Sequence, residues 1–299
     1  MSRTVSFASK NGWLGIDAIQ QACASGYGAL AAAAPPLMAA APDTAPILLY
    51  KAWRDVLGKD PAYPAQQIGD CVSFGHGHAN DLLQCIEISL GEPAEFRETD
   101  TEFIYATSRE VAGILGRGDG SYGAAAVKAM TTIGLVSREM LGDQAAYSGK
   151  RAKEWGRVGA PADVKAKAAP FKLGSGALVS TWNELVAALM NGYPVTICSN
   201  QGFTLQRDAQ GFCSARGTWG HCMCVAGIRF DREGACILQS WGPESPEGPL
   251  GLDQPTFSFW ADRRVIERIL SQGDSWALTK APDFVSRPLP VHWSYHQAA

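Results

Sequence analysis

The stretch QQIGDCVSFG, residues 66 to 75, places a cysteine between a Gly-Asp turn and the first turn of a predicted helix, behind two glutamines. A thiol in that position feels the positive end of the helix dipole, which favours thiolate over thiol. The competing reading is a buried free cysteine that packs as a small hydrophobe. A thiol nucleophile also needs a base, a group to orient that base, and donors for the oxyanion of a tetrahedral intermediate. Only five histidines are available. His76 and His78 share the segment of Cys71 and would point along or away from its helix, and His292 and His296 belong to the tail. His221 stands at the entry of the apolar run HCMCVAGIRF, 150 positions after Cys71, behind the flexible TWG.

The elements that must bring these groups together are legible in outline. After Cys71, Val72, Phe74, Leu82, Leu83, Ile86 and Leu90 keep a helical apolar spacing, and Gly91 can close the helix. Gly75 and Gly77 lower its intrinsic propensity by about 1 kcal/mol each, so close packing must compensate there. TDTEFIYATSREVAGIL opens with a Thr or Asp cap, AAAVKAMTTIG follows the turn RGDGSYG, and STWNELVAALMNG runs from a Ser or Thr cap to a Gly. PVTICSN, HCMCVAGIRF and ACILQSWG read as short strands. Helices first and strands later predict an α+β protein with two unlike halves. The expected division is an Ala- and Pro-rich leader over 1–46, a helical lobe over about 47–170, a β-rich lobe over about 171–285, and a Pro/aromatic tail over 286–299.

Composition narrows the functional classes. At 299 residues, with 46% hydrophobic and 18% charged residues, the chain can bury a large core. A net charge of −3 with no run of Lys and Arg gives no footprint for nucleic acid or an anionic membrane, so neither is expected as a partner. The start shows no signal-peptide pattern, and the paired prolines of YGALAAAAPPLMAAAP, residues 27 to 42, would break a membrane helix. No transmembrane segment is expected. Eight cysteines in a chain this long fit reduced thiols in a cytoplasm-like compartment rather than a disulfide scaffold. Cys222 and Cys224, with Cys213 and His221 nearby, raise the thought of zinc. Their place in an apolar strand, without a second ligand pair of suitable spacing, argues against a metal. No cofactor motif is present: the sequence lacks GxSxG, GxGxxG after a strand, a Walker-type loop and HExxH.

Taken in order, QQIGDCVSF, GHCMCVAGIRF and ILQSWG resemble the three signature blocks of the papain-like cysteine peptidases. GDGSYGAAAVKAM, about fifty residues past Cys71, is similar to that family's Asn-Gly-Gly-Tyr segment, and AWR at 52–54 lies at a familiar distance before the cysteine. The blocks run from about residue 48 to 285. The resemblance implies a two-lobed fold with a helical lobe and an antiparallel, barrel-like β lobe. It implies Cys71 as nucleophile, His221 as general base and acid, and Gln66 or Gln67 as the side-chain donor of the oxyanion hole beside the Cys71 N–H. It further implies Asp119, Gly120, Ser121 and Tyr122 as a substrate-binding wall, and Trp241 as a shield over the histidine.

The sequence also departs from that family. Gln239 stands where the family has Asn, one methylene longer, from which an orientation weaker by roughly 10-fold in rate is expected. The glutamine before Cys71 is one or two positions closer than usual, Val72 replaces an aromatic, and Ile68 and Gly118 occupy the two positions where many members carry a disulfide. The expected activity is hydrolysis of peptide or isopeptide bonds in a peptide or protein substrate, in a cytoplasmic or virion-associated protein. One alternative is a fold retained as a weakly active or inactive binding component of a phage particle or bacterial assembly, gripped through leader or tail. The other is a thiol acyl-transfer enzyme such as a peptidoglycan amidase or a transglutaminase-like protein.

Overall fold

The computed structural model describes residues 11–15, 17, 20–21, 26–28, 45–243 and 245–294. Most of the predicted leader, including Cys23, and the last five residues of the tail with His296 lie outside them. Among the described residues no helix is long and apolar enough to cross a membrane, and the seven described cysteines are free thiols.

The organising element is a helix over Cys71–Ser89. After β1 (Ile47–Leu48) and α1 (Lys51–Leu57), this α2 runs through the middle of the molecule, with nearly every residue from 71 to 86 buried. A helix buried on all sides has to satisfy its own polar groups. Ser73 Oγ donates to Asp70 O, Asn80 donates to Thr99, and Asp81 accepts from Tyr63 Oη and Thr99. The two interior glycines are where neighbours come closest. A Cβ on Gly75 would sit 2.8 Å from Cys222 Sγ and one on Gly77 would sit 2.8 Å from a Thr101 methyl. Packing against the sheet and the next helix therefore offsets their low helix propensity.

The helical half continues with α3 (Thr101–Val111), capped by the Asp100 side chain on Phe103 N, then α4 (Gly123–Thr132), α5 (Gly149–Val158) and α6 (Ala162–Ala168). Arg138 and Arg151 bind the buried carboxylates of Asp100 and Glu102, tying the start of α3 to the loop ahead of α5. The β half holds β2 (Ser175–Leu178), α7 (Trp182–Met190), β3 (Val195–Phe203), β4 (Ala215–Arg229), β5 (Gly234–Leu238), β6 (Ser258–Asp262), α8 (Arg263–Leu270) and β7 (Ser275–Thr279). The strands are antiparallel in the order β2-β7-β3-β4-β5-β6, with β1 also paired to β4. α7 starts at the Thr181–Glu184 capping box.

The α+β class and the helices and strands expected around the cysteine and histidine are present. α5, α6, α8, β6 and β7 lie in stretches that the sequence pattern did not single out. The described part of the tail docks on α1: Trp293 is buried, and its Nε1 and the His292 ring both reach Asp55.

Candidate active site

α2 begins at Cys71, so the sulfur sits on the first turn, where backbone N–H groups have no intrahelical partner. The preceding Asp70 makes no side-chain cap bond. Its carboxyl accepts from Tyr147 Oη at 2.8 Å, and burial pushes its pKa up to about 8. The thiol is not poised as the dipole alone would suggest. Cys71 is fully buried, and burial drives its pKa well above the ordinary thiol range; the neighbouring Cys222 adds to this, while the backbone amides of Cys222 and Gly12 act in the opposite direction. Sγ lies 4.0 Å from Gly220 O.

His221 comes from the other half. β4 is exposed along 215–218 and half-buried at 219 and 220, and from His221 onward it is buried. The ring therefore sits where the strand dives under the core, directly after the glycine whose carbonyl faces the sulfur. Its Nε2 is 2.9 Å from Gln239 Oε1. With an amide oxygen facing it, Nε2 carries the hydrogen of the neutral ring and Nδ1 is the basic nitrogen. Trp241 stacks on the imidazole at 4.9 Å between centroids, and Trp219 meets Trp241 edge-on at 5.0 Å. The longer glutamine is held by Gln239 N–H donating to Phe257 O at 2.7 Å, and it is 2% exposed.

The two candidate glutamines separate. Gln66 is buried against the Ser240 end of the ILQSWG block: its N–H donates to Ser240 O at 2.8 Å, Ser240 Oγ donates to its Oε1 at 2.5 Å, and its Nε2 donates to Ile68 O at 2.8 Å. Gln67 is exposed and turned to the loop before α5, where its Oε1 accepts from Gly149 N. Gln67 thus turns its amide oxygen to the start of α5, whereas Gln66 has one Nε2 hydrogen already given to Ile68 O.

Of the residues expected as a wall at 119–122, Gly120 and Ser121 lie against a segment that the sequence pattern missed. Asn11 to Leu14 run between the two halves. Gly12 N–H donates to Gly220 O at 2.9 Å, Ser121 N–H donates to Gly12 O at 2.7 Å, and Leu14 N–H donates to Ser121 O at 3.1 Å, in a parallel bridge. Three glycines permit this approach. A Cβ on Gly69 would lie 2.6 Å from Asn11 O, one on Gly120 would lie 2.8 Å from Gly12 O, and one on Gly220 would lie 2.5 Å from Trp13 O. Gly12 itself faces the nucleophile position, since its Cβ would sit 2.1 Å from Gly69 O and 3.0 Å from Cys71 Sγ. Asp119 is exposed at the rim beside Gly69, and Tyr122 Oη donates to Asp17. The segment NGWLG carries its only hints in its glycines and its tryptophan.

Cys222 pairs across the sheet with Cys198. Burial pushes its thiol up, but hydrogen bonds with Cys198 and His76 outweigh this and lower it. Among the described residues no group of three or more His, Cys, Asp or Glu side chains is gathered as a metal site would need.

Several solved structures share this architecture. Xylellain, a cysteine protease from Xylella fastidiosa, aligns with a TM-score of 0.66 at 15% identity, over 94% of this chain and 100% of that one. Procathepsin B S9 from Trypanosoma congolense gives 0.63 at 10% identity, covering 92% and 89%. Procathepsin L 3 of Tenebrio molitor larval midgut gives 0.53 at 12% identity, covering 91% and 83%. No family model and no curated protein sequence matches. The chain has the papain-like α+β fold.

Proposed function

We propose that this chain is a cysteine peptidase, hydrolysing peptide or isopeptide bonds, with Cys71 as nucleophile, His221 as general base and acid, and Gln239 orienting the imidazole. The observation that carries the reading is the His221 Nε2 to Gln239 Oε1 bond of 2.9 Å, made on the strand whose Gly220 carbonyl lies against the Cys71 sulfur. With Nε2 held, Nδ1 is the nitrogen that takes the thiol proton and later returns it to the leaving amine. The Cys71 N–H at the open end of α2 and the second Nε2 hydrogen of Gln66, the first being given to Ile68 O, are the donors for the oxyanion. Trp241 keeps water from the imidazole–amide bond.

The leader keeps this machinery latent. Gly12 O is held by Ser121 N–H, so its carbonyl is turned to the wall and not presented to Cys71. The covered sulfur also favours a second reading, in which the fold serves a phage or bacterial assembly as a binding module without turnover. One experiment separates them. Gly12→Leu, which cannot keep the segment seated, is expected to be labelled at Cys71 by a thiol-directed epoxide and to cleave unfolded protein, while Gly12→Leu with Cys71→Ala does neither. An unmasked chain with no labelling at Cys71 and no cleavage overturns the peptidase reading.

A further inference from the structure

We propose that Asp274 sets the side-chain preference of this cleft: the pocket beside Ser121 takes a peptide side chain that is flat, apolar and carries a single N–H, with tryptophan as its match. As a substrate preference the proposal rests on the peptidase reading; as a binding preference it does not. Asp274 lies in the turn between α8 and β7 and is fully buried. Its Oδ1 accepts from Ala124 N–H at 2.8 Å and from Trp276 Nε1 at 2.7 Å; its Oδ2 accepts from Gly123 N–H at 2.7 Å and from Trp13 Nε1 at 2.9 Å. A carboxylate offers about four acceptor directions, and here all four are taken. Three of the donors are permanent parts of the fold: two are at the start of α4 and one is on β7. The fourth arrives with the leader.

The leader is therefore a ready-made picture of an occupied cleft. Its main chain is bonded on either side of residue 13 to Ser121, and the side chain between those bonds packs against Ile114, Tyr122 and Ala125 and ends on Asp274. When the segment leaves, one acceptor direction of a buried carboxylate opens toward the cleft. A site of that kind discriminates strongly, because a ligand lacking the donor leaves the acceptor desolvated and unpaired. The opening asks for a hydrogen rather than a charge. The positive end of α4 and three N–H groups already face the carboxylate, and the walls on the way in are apolar. Gly123 is part of this design, since a Cβ there would lie 2.8 Å from Asp274 Oδ1.

The test uses the full chain carrying Gly12→Leu and four acetyl-dipeptide amides of the form Xaa-Gly, with Xaa as tryptophan, benzothienylalanine, phenylalanine or arginine. Benzothienylalanine keeps the ring shape and replaces N–H by sulfur. Calorimetry is expected to give about tenfold tighter binding for tryptophan than for benzothienylalanine. Equal affinities for these two, tighter binding of arginine, or no binding of any of the four overturns the proposal. In the otherwise unaltered chain, Trp13→Phe keeps an aromatic ring and loses the donor. It should loosen the leader and raise the epoxide labelling rate of Cys71 about tenfold, and an unchanged rate argues against the fourth donor. Labelling of Cys71 in the Gly12→Leu chain reports separately on the peptidase reading. A chain that discriminates the peptides but is not labelled keeps the pocket and loses the chemistry, and the reverse result loses the pocket alone.

Discussion

The two walls of the cleft are held by different physics. On the sheet side, polar groups are buried with partners in hand: His221 has Gln239, Gln239 has the Phe257 carbonyl, and Ser240 has Gln66. On the helical side, burial itself decides the chemistry. Asp70 is pushed up to about 8, Asp81 is pushed up to about 7, and the Cys71 thiol is driven well above its ordinary range, in each case mainly because water is excluded. A wall fixed by hydrogen bonds is sensitive to geometry, whereas a wall fixed by desolvation is sensitive to whatever covers it. The leader covers the helical wall at its most sensitive atom.

The largest expected effect tests the sheet wall directly. In the unmasked Gly12→Leu chain, His221→Ala should lower peptide hydrolysis by about three to four orders of magnitude, the loss expected on removing the general base. Circular dichroism should stay unchanged, since the ring's main bond is to a side chain rather than to the ladder. Residual turnover within tenfold of the parent would show that another group serves as base.

The next effect belongs to the helical wall. Gly12→Leu alone should raise the alkylation rate of Cys71 at pH 7 by about a hundredfold over the unaltered chain, by returning water and the dipole's influence to the sulfur. Mass spectrometry of the alkylated peptide reads this. An unchanged rate would mean that the sulfur is buried by the two walls themselves and not by the leader.

Gln239→Asn then sharpens the contrast. Here the longer amide reaches the ring at 2.9 Å. Shortening the side chain withdraws the acceptor, and kcat in the unmasked chain should fall about 10- to 100-fold with little change in KM. A gain in activity would mean that glutamine is the poorer orienter after all.

Much of this was legible before any coordinates. The period of Val72, Phe74, Leu82, Leu83, Ile86 and Leu90 marks α2 because a long helix shows its spacing over many turns. The runs PVTICSN, HCMCVAGIRF and ACILQSWG mark β3, β4 and β5 because buried strands leave dense apolar signals. Cys71, His221, Gln239 and Trp241 stood out because each sits in a short dense block. What stayed hidden depends on convergence. Gly12 reaches the sulfur only because Gly69 and Gly120, on two loops, and Gly220, on β4, leave room for another stretch of backbone. Asp274 looks like one more turn residue until four donors from three regions meet on it. Gln66 and Gln67 differ only in which way each side chain turns, and sequence order does not encode that. The thiol's protonation went against the dipole argument because the dipole acts over one turn, while exclusion of water acts on the whole side chain.

The smallest effect is in stability, and it should fall on one wall only. Asp81 is fully buried and accepts from Tyr63 Oη, Thr99 N–H and Thr99 Oγ1; these bonds lower its pKa, but burial outweighs them and holds it at about 7. The folded-state value thus lies above the unfolded one of about 3.9. Protons are then held more tightly by the folded chain, so the contribution is complete below about pH 4 and is lost as the pH rises through 7. Between pH 5 and pH 8 this group should remove on the order of 2–3 kcal/mol, read as a lower Tm at the higher pH. Asp81→Asn, which stays neutral throughout, should remove its share of that dependence and leave the share of Asp70, even if it lowers Tm overall. Hydrogen exchange corrected for intrinsic rates should locate the loss in α2 and its neighbour α3 rather than in β3 and β4. Equal losses in both walls would mean that the two are one cooperative unit, and that the difference between them is chemical but not mechanical.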